Sequence, residues 1–370
     1  MVLAGAVLGQ TEQPLQYRTG TANLAYHQIK LTTNPPPGVA LPKLNGPPYF
    51  ARWLTPLDPT GGRWLCLDRT RSPGPYDRLY IDSNGNGRLD DKTPVPARLG
   101  SFEASFPPTA VVFKGDNGPS TYHLVFLIYQ FDIASAELLA SPGGWHEGVV
   151  DFDGVKKRIQ LIDANVNGTF NDIAPDPYES DRVLLEGDKT PERFLGRMLE
   201  VDGKFYRIEV ERNGAFVKVQ KVENATLGQV RVPDNISEIS VYGENGHFVR
   251  QPVKGQFTLP AGDYRPFQWT ISRKDEKGAA WTMRGYDFPK TSAFDVAAGK
   301  TNALEVGEPA QAVLGVSETP GGLDIFSIRF EGRQKEAIEI LREGQRPAGP
   351  KFSLARADGT PCYSDTFEFG

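Results

Sequence analysis

At 370 residues and a formal net charge of -5, with no Lys/Arg-rich block, the chain has room for about two to four domains of roughly 100 residues and lacks the basic footprint of a nucleic-acid binder. Its 39 Gly and 30 Pro punctuate runs rich in Phe and Tyr, a grammar of short strands and turns that points to an all-β chain. No apolar run reaches the roughly 18 residues a membrane-spanning helix needs.

Residues 1–10 are small and apolar, like the end of a signal-peptide core with its cleavage site, but no basic residues precede them. They read either as a secretory signal shortened at its start or as an N-terminal strand. Residues 11–48 form a Pro-rich arm, with Asn34-Pro35-Pro36-Pro37-Gly38 and Asn45-Gly46-Pro47-Pro48 favouring extended or turn backbone. A first β domain, 49–135, opens with a hairpin about Thr60-Gly61-Gly62. Its next strand runs into the loop 82–91, and a second hairpin follows about Gly115-Asp116-Asn117-Gly118.

A second β domain, 136–225, repeats the plan. Residues 145–152 turn at Asp153-Gly154 into a strand that runs into the loop 163–172, and 181–186 echoes 77–82. The turns Asp202-Gly203 and Asn213-Gly214 then close a meander. From 226 to 308 alternating strands predict a small sandwich, and 309–370 predicts another, with 336–342 a strand rather than a helical turn. The expected architecture is therefore tandem β domains with calcium-binding loops, followed by small β-sandwich modules.

The two loops carry the chemistry. With Asp82 at position one, Asn84, Asn86 and Asp90 supply oxygens at three, five and nine, Gly87 stands at six, and the Arg88 carbonyl at seven. Asp163, Asn165, Asn167, Gly168, the Thr169 carbonyl and Asn171 repeat the series. Calcium takes six to eight oxygens, and alternate residues of a tightly turned loop deliver them. Thr93 and Ala174 stand where a bidentate Glu would complete an EF-hand loop, leaving Asp91 and Asp172 as substitutes, with Asp176 and Asp181 as further candidates. The competing reading is a pair of Asn-Gly hairpin turns, since both residues tolerate positive φ.

The loops resemble the Asp-x-Asn-x-Asn-Gly group of dockerins and of many secreted bacterial β proteins, here without flanking helices. Residues 255–264, with Leu259-Pro260-Ala261-Gly262, resemble a phrase of carboxypeptidase-regulatory-like and immunoglobulin-like modules, which implies a sandwich. The combination is similar to secreted proteins of environmental bacteria, and implies a secreted or cell-envelope location.

Catalytic signatures are absent from the sequence. His27, His123, His146 and His247 are scattered, and neither a His-Glu-x-x-His, a Gly-x-Ser-x-Gly nor a phosphate-binding loop occurs. A glycosidase carboxylate pair leaves no sequence spacing and stays open. Trp53, Trp64, Trp145, Trp269 and Trp281 are core residues or sugar platforms. Cys66 and Cys362 are two free thiols, or a bridge from the last domain to the first. The sequence therefore predicts a non-catalytic, secreted, calcium-binding structural or adhesive protein whose partner is itself or a cell-surface or extracellular polymer. The alternative is a carbohydrate-binding module or a carbohydrate-active enzyme.

Overall fold

The computed structural model describes residues 12–22, 26–115, 118–129, 137–188, 193–319 and 322–367, almost entirely as strand and turn. The segment 1–10, the turn residues Asp116 and Asn117, and the end of the last expected strand lie outside the described residues. Two compact units divide the chain, 1–223 and 224–370.

The first unit comprises β1 (Glu12–Pro14), β2 (Gln16–Thr19), β3 (His27–Lys30), β4 (Tyr49–Leu54), β5 (Gly62–Asp68), β6 (Arg78–Ile81), β7 (Val95–Pro96), β8 (Arg98–Leu99) and β9 (Glu103–Gly115). It continues through β10 (Gly118–Tyr129), β11 (Glu137–Pro142), β12 (Gly144–Phe152), β13 (Val155–Ile162), β14 (Arg182–Leu185), β15 (Arg193–Phe194), β16 (Met198–Val201), β17 (Lys204–Val210) and β18 (Phe216–Lys221). The predicted hairpins form as antiparallel pairs β4/β5, β9/β10, β12/β13, β16/β17 and β17/β18. Asp153 (φ 56) with Gly154 (φ 89), and Asp202 (φ 49) with Gly203 (φ 77), supply consecutive left-handed residues whose twist matches the flanking strands.

The expected boundary between 135 and 136 is corrected by the packing. Leu15, Trp53, Phe126, Phe152, Leu161 and Val217 belong to one buried cluster that spans both predicted domains. Nor is 11–48 merely an arm, because β1 pairs β18, β2 pairs β12 and β3 pairs β11. These strands cover edges of sheets built from residues more than a hundred positions later. Local turn chemistry predicts hairpins but carries no information on which hairpin faces which, so the sharing was not legible. On the other face of β4–β6, Phe50, Cys66, Tyr80 and Leu89 form a second small cluster.

The second unit comprises β19 (Leu227–Arg231), β20 (Glu238–Gly243), β21 (Gly246–Arg250), β22 (Gln256–Pro260), β23 (Gly262–Lys274), β24 (Ala280–Tyr286), β25 (Phe294–Val296) and β26 (Thr301–Ala303). β27 (Gln311–Thr319), β28 (Gly322–Glu331), β29 (Ala337–Arg342), β30 (Lys351–Ala355) and β31 (Pro361–Thr366) follow. The boundary expected at 308/309 falls inside a continuous sheet, ordered β21-β20-β23-β24-β29-β28-β27. Residues 309–370 are therefore not a separate sandwich, because β29 pairs β24 across that boundary, and β30/β31 stand as a two-stranded sheet. Of residues 336–342, Ala337–Arg342 are strand, as expected, with Glu336 just before it. Cys66 is buried, Cys362 is exposed, and both are free. Among the described residues, no helix is long and apolar enough to cross a membrane.

Candidate metal centre

Both loops leave the end of a strand, loop 1 after β6 and loop 2 after β13. Positions four and six are left-handed in each: Gly85 (φ 70) and Gly87 (φ 73) in one, Val166 (φ 58) and Gly168 (φ 92) in the other. This winding turns backbone amides onto the position-one carboxylate. Asp82 Oδ1 accepts from the amides of Gly85 (2.9 Å) and Asn86 (3.1 Å), and Oδ2 from Gly87 (2.9 Å). Asp163 Oδ1 accepts from Asn167 (3.2 Å) and Oδ2 from Gly168 (2.6 Å). Asn84, Asn86, Asn165 and Asn167 each accept an amide two residues on, which points their oxygens along the loop interior. Position eight is an apolar plug in both copies, Leu89 and Phe170.

A β-branched residue at positive φ costs about 1–3 kcal/mol. Val166 is held there by burial against the core and by Trp53, whose indole N–H donates to the Val166 carbonyl at 2.5 Å. Loop 2 is thereby fastened into the main core, and its first carboxylate is inside the protein.

Charge separates the two loops. In loop 2, Asp163 and Asp181 are each fully buried, and Asp172 is half-buried. Burial, with the charge of Asp172 adding to it, pushes the Asp163 carboxyl up to about 7. Burial and then the charge of Asp163 push Asp181 well above the usual carboxylate range. No described Lys or Arg lies within ion-pairing distance of these three carboxylates. Asp181 also clamps the loop, Oδ1 accepting from Ala164 N (3.2 Å) and Oδ2 from Asp172 N (2.7 Å). Asp172 Oδ2 accepts from Asn167 Nδ2 (2.9 Å) and Thr169 Oγ1 (2.6 Å). Asp176 instead caps the short 3-10 turn Pro177–Glu179, accepting from Tyr178 N at 3.0 Å, and Asn171 is exposed.

In loop 1 the acidic groups have partners. Lys92 Nζ lies 2.7 Å from Asp91 Oδ1 and 3.0 Å from Asn84 Oδ1, so an ammonium bridges positions three and ten. Hydrogen bonds from Lys92 and Asn86 hold the Asp91 carboxyl below its usual range. Arg88 Nη2 pairs with Asp90 Oδ2 at 2.6 Å. Asn84, Asn86, Arg88, Asp90 and Asp91 are all exposed.

The loop 2 donor set suits calcium: Asp163, Asn165, Asn167, the Thr169 carbonyl and Asp172 are hard oxygens, and no described Lys or Arg pairs with the carboxyl groups among them. No three His, Cys, Asp or Glu side chains group closely enough to hold a metal among the described residues, so most oxygens would come from amide and main-chain groups. Sequence spacing found both loops but missed Lys92, although Lys at position eleven of the first copy against Ile173 in the second was a visible signal.

The remaining candidates do not converge. His146 packs edge-on to Phe170, with ring centroids 4.8 Å apart, and burial lowers its pKa to about 4. His123 stacks on Tyr17, His247 is buried against Phe267, and His27 is exposed. Trp53 and Trp269 are core residues. Trp64 lies beneath the Arg52 guanidinium and Trp281 beneath that of Arg342, while the Trp145 indole N–H is bound to Glu147. Comparison of the chain with known protein families, curated proteins and solved structures finds no match.

Proposed function

We propose that this chain is a non-catalytic structural or adhesive protein of the extracellular space or cell envelope, in which calcium held by loop 2 stabilises the first unit. The observation that carries this reading is the pair of fully buried carboxyl groups, Asp163 and Asp181, that fasten loop 2 with no described cation paired to either, beside the Asn165, Asn167 and Thr169 oxygens of the loop. A buried charge without a counter-charge is costly. A divalent cation would neutralise the cluster and tie positions one, three, five, seven and ten together. Through Val166 and Trp53 the same tie reaches the core, so the ion acts as a structural staple; no helix pair flanks the loop to turn binding into a lever.

Calorimetric titration of calcium into chelator-treated protein, with thermal melts at each end, tests this. The expected result is heat of binding and a raised melting temperature, worth about 2.7 kcal/mol at a hundredfold excess over Kd. Both should be lost in Asp163→Asn. No heat and no shift in the unaltered protein would overturn the reading.

A further inference from the structure

We propose that the second unit binds a neutral saccharide, seated against Trp281 in a slot on one face of β23, β24 and β29. This goes beyond the calcium reading and does not depend on it.

The sheet register builds the slot. Ile271, Met283 and Ile340 stand side by side across the three strands, and Arg273, Trp281 and Arg342 form the next row. Ladder partners share a face and so do residues two apart, so these side chains project to one side of the sheet. The cover over that side runs out along the first row, since Ile271 is 2% exposed whereas Met283 and Ile340 are half-buried. What stays open is a cavity of 340 Å³, within the range of about 300–1,000 Å³ typical of small-ligand sites. Those three apolar side chains floor it and Trp281 walls it.

Trp281 is held in a fixed pose without being closed into the core. Its indole N–H donates to Asp275 Oδ2 at 3.0 Å, and Asp275 Oδ1 accepts from the amides of Lys277 and Ala279, both at 2.9 Å. The turn after β23 thereby sets the orientation of the ring, which is half-buried. Trp269, on the same face of β23, is fully buried and donates to Glu336 instead. Arg342 lies over the Trp281 ring, 5.8 Å from its centroid, but does not line the cavity, so the indole surface open to the cavity is not the one the guanidinium covers.

The rim selects the ligand. Arg273 pairs with Glu308 at 2.5 Å, and Asp275 is held below the usual carboxylate range by the Trp281 hydrogen bond first and, more weakly, by the charge of Arg342. Lys274 also reaches the cavity, but it is exposed and belongs to the opposite face of β23. The charges on the slot's own face are thus matched in pairs, and an anionic ligand would have to break one. A wholly apolar ligand would strip water from Arg273 and Asp275 without replacing its hydrogen bonds. A pyranose ring does neither. Its C–H face lies on the indole, whose π face is negative, and its hydroxyls exchange hydrogen bonds with the guanidinium and the carboxylate.

Calorimetric titration of the full chain with soluble fragments of β-glucan, xylan, mannan and starch tests this, with polygalacturonate and laurate as the anionic and apolar controls. At least one neutral fragment should bind at a single site and shift the tryptophan emission. Trp281→Ala should weaken that binding roughly tenfold or more. Trp281→Phe keeps a ring, so it should lose less affinity while losing the emission shift, and Met283→Glu, which sets a charge on the floor, should abolish binding. Circular dichroism confirms the fold of each variant, and where Trp281→Ala disturbs it the other two carry the test. Asp163→Asn, which probes the calcium reading, should bind saccharide as the unaltered protein does, so either reading can fail alone. No binding of any neutral fragment, binding indifferent to the Trp281 and Met283 variants, tighter binding of polygalacturonate or laurate, or loss of binding in Asp163→Asn would overturn the proposal.

Discussion

Loop 1 and loop 2 follow one plan through position ten and part at position eleven, where the first has Lys92 and the second Ile173. In loop 1 that residue turns its ammonium inward and bridges Asn84 and Asp91. In loop 2 it packs against the main core and brings no charge to the carboxylates. The same hydrogen-bonded winding therefore supports two electrostatic solutions, one with an internal lysine and one with no cation paired to it among the described residues. Ligand spacing alone does not distinguish them, because spacing describes where oxygens stand and not what already neutralises them.

The largest expected effect comes from the clamp that only loop 2 possesses. Asp181→Ala leaves the amides of Ala164 and Asp172 without acceptors in the interior, at about 1–3 kcal/mol each, or about 2–6 kcal/mol together. Removing Asp181 also removes repulsion from Asp163, so the loss measured by denaturant melts should be smaller in chelator than in calcium. Asp91→Ala in loop 1 touches an exposed carboxylate and should change stability little, with or without calcium. Equal losses from the two variants would abolish the distinction drawn between the loops.

The next effect reads out the plugs at position eight. Phe170 packs against His146, which is 7% exposed, whereas Leu89 packs in a cluster with no histidine. Burial lowers the His146 pKa from 6.5 to about 4. Its contribution is full above pH 6.5 and is lost as pH falls through 4, because the unfolded chain takes up the proton more readily. A shift of this size corresponds to about 3 kcal/mol. Melts from pH 7 to pH 4 on the parent and on His146→Phe should diverge across that window, with the variant losing less stability on acidification. Parallel curves would mean that His146 is not held neutral.

These contrasts mark what the sequence could and could not disclose. The all-β class, the hairpins and the strand-then-loop placement of both motifs follow from alternation and from Asp-Gly and Asn-Gly turns, which act within a few residues. The union of 49–135 and 136–225 depends on residues such as Leu15 and Trp53 meeting across the chain, and short-range patterning is silent on that. The site was legible as ligand types at positions one, three and five. Its charge balance was not, because it depends on the depth of Asp163, on the long-range arrival of Asp181 and on which way Lys92 points.

The smallest effect on stability has the most direct bearing on the comparison. Lys92→Met removes the loop 1 ammonium while retaining an unbranched apolar stem, so Asp91 and Asn84 lose their bridge and Asp82 keeps its three amide donors. The fold should survive with a small loss, since the Asp91 carboxylate that Lys92 pairs with is open to water and is solvated when the ammonium is gone. Loop 1 would then resemble loop 2 in having no described cation beside its oxygen donors. Calorimetry should report an additional calcium-binding event, weaker than that of loop 2 because its surroundings are exposed and better screened by solvent. If Lys92→Met binds no more calcium than the unaltered protein, the charge at position eleven does not set the calcium affinity of loop 1. The difference between the copies would then lie in burial, in the core contacts of Val166 and Trp53, and not in the charge at position eleven.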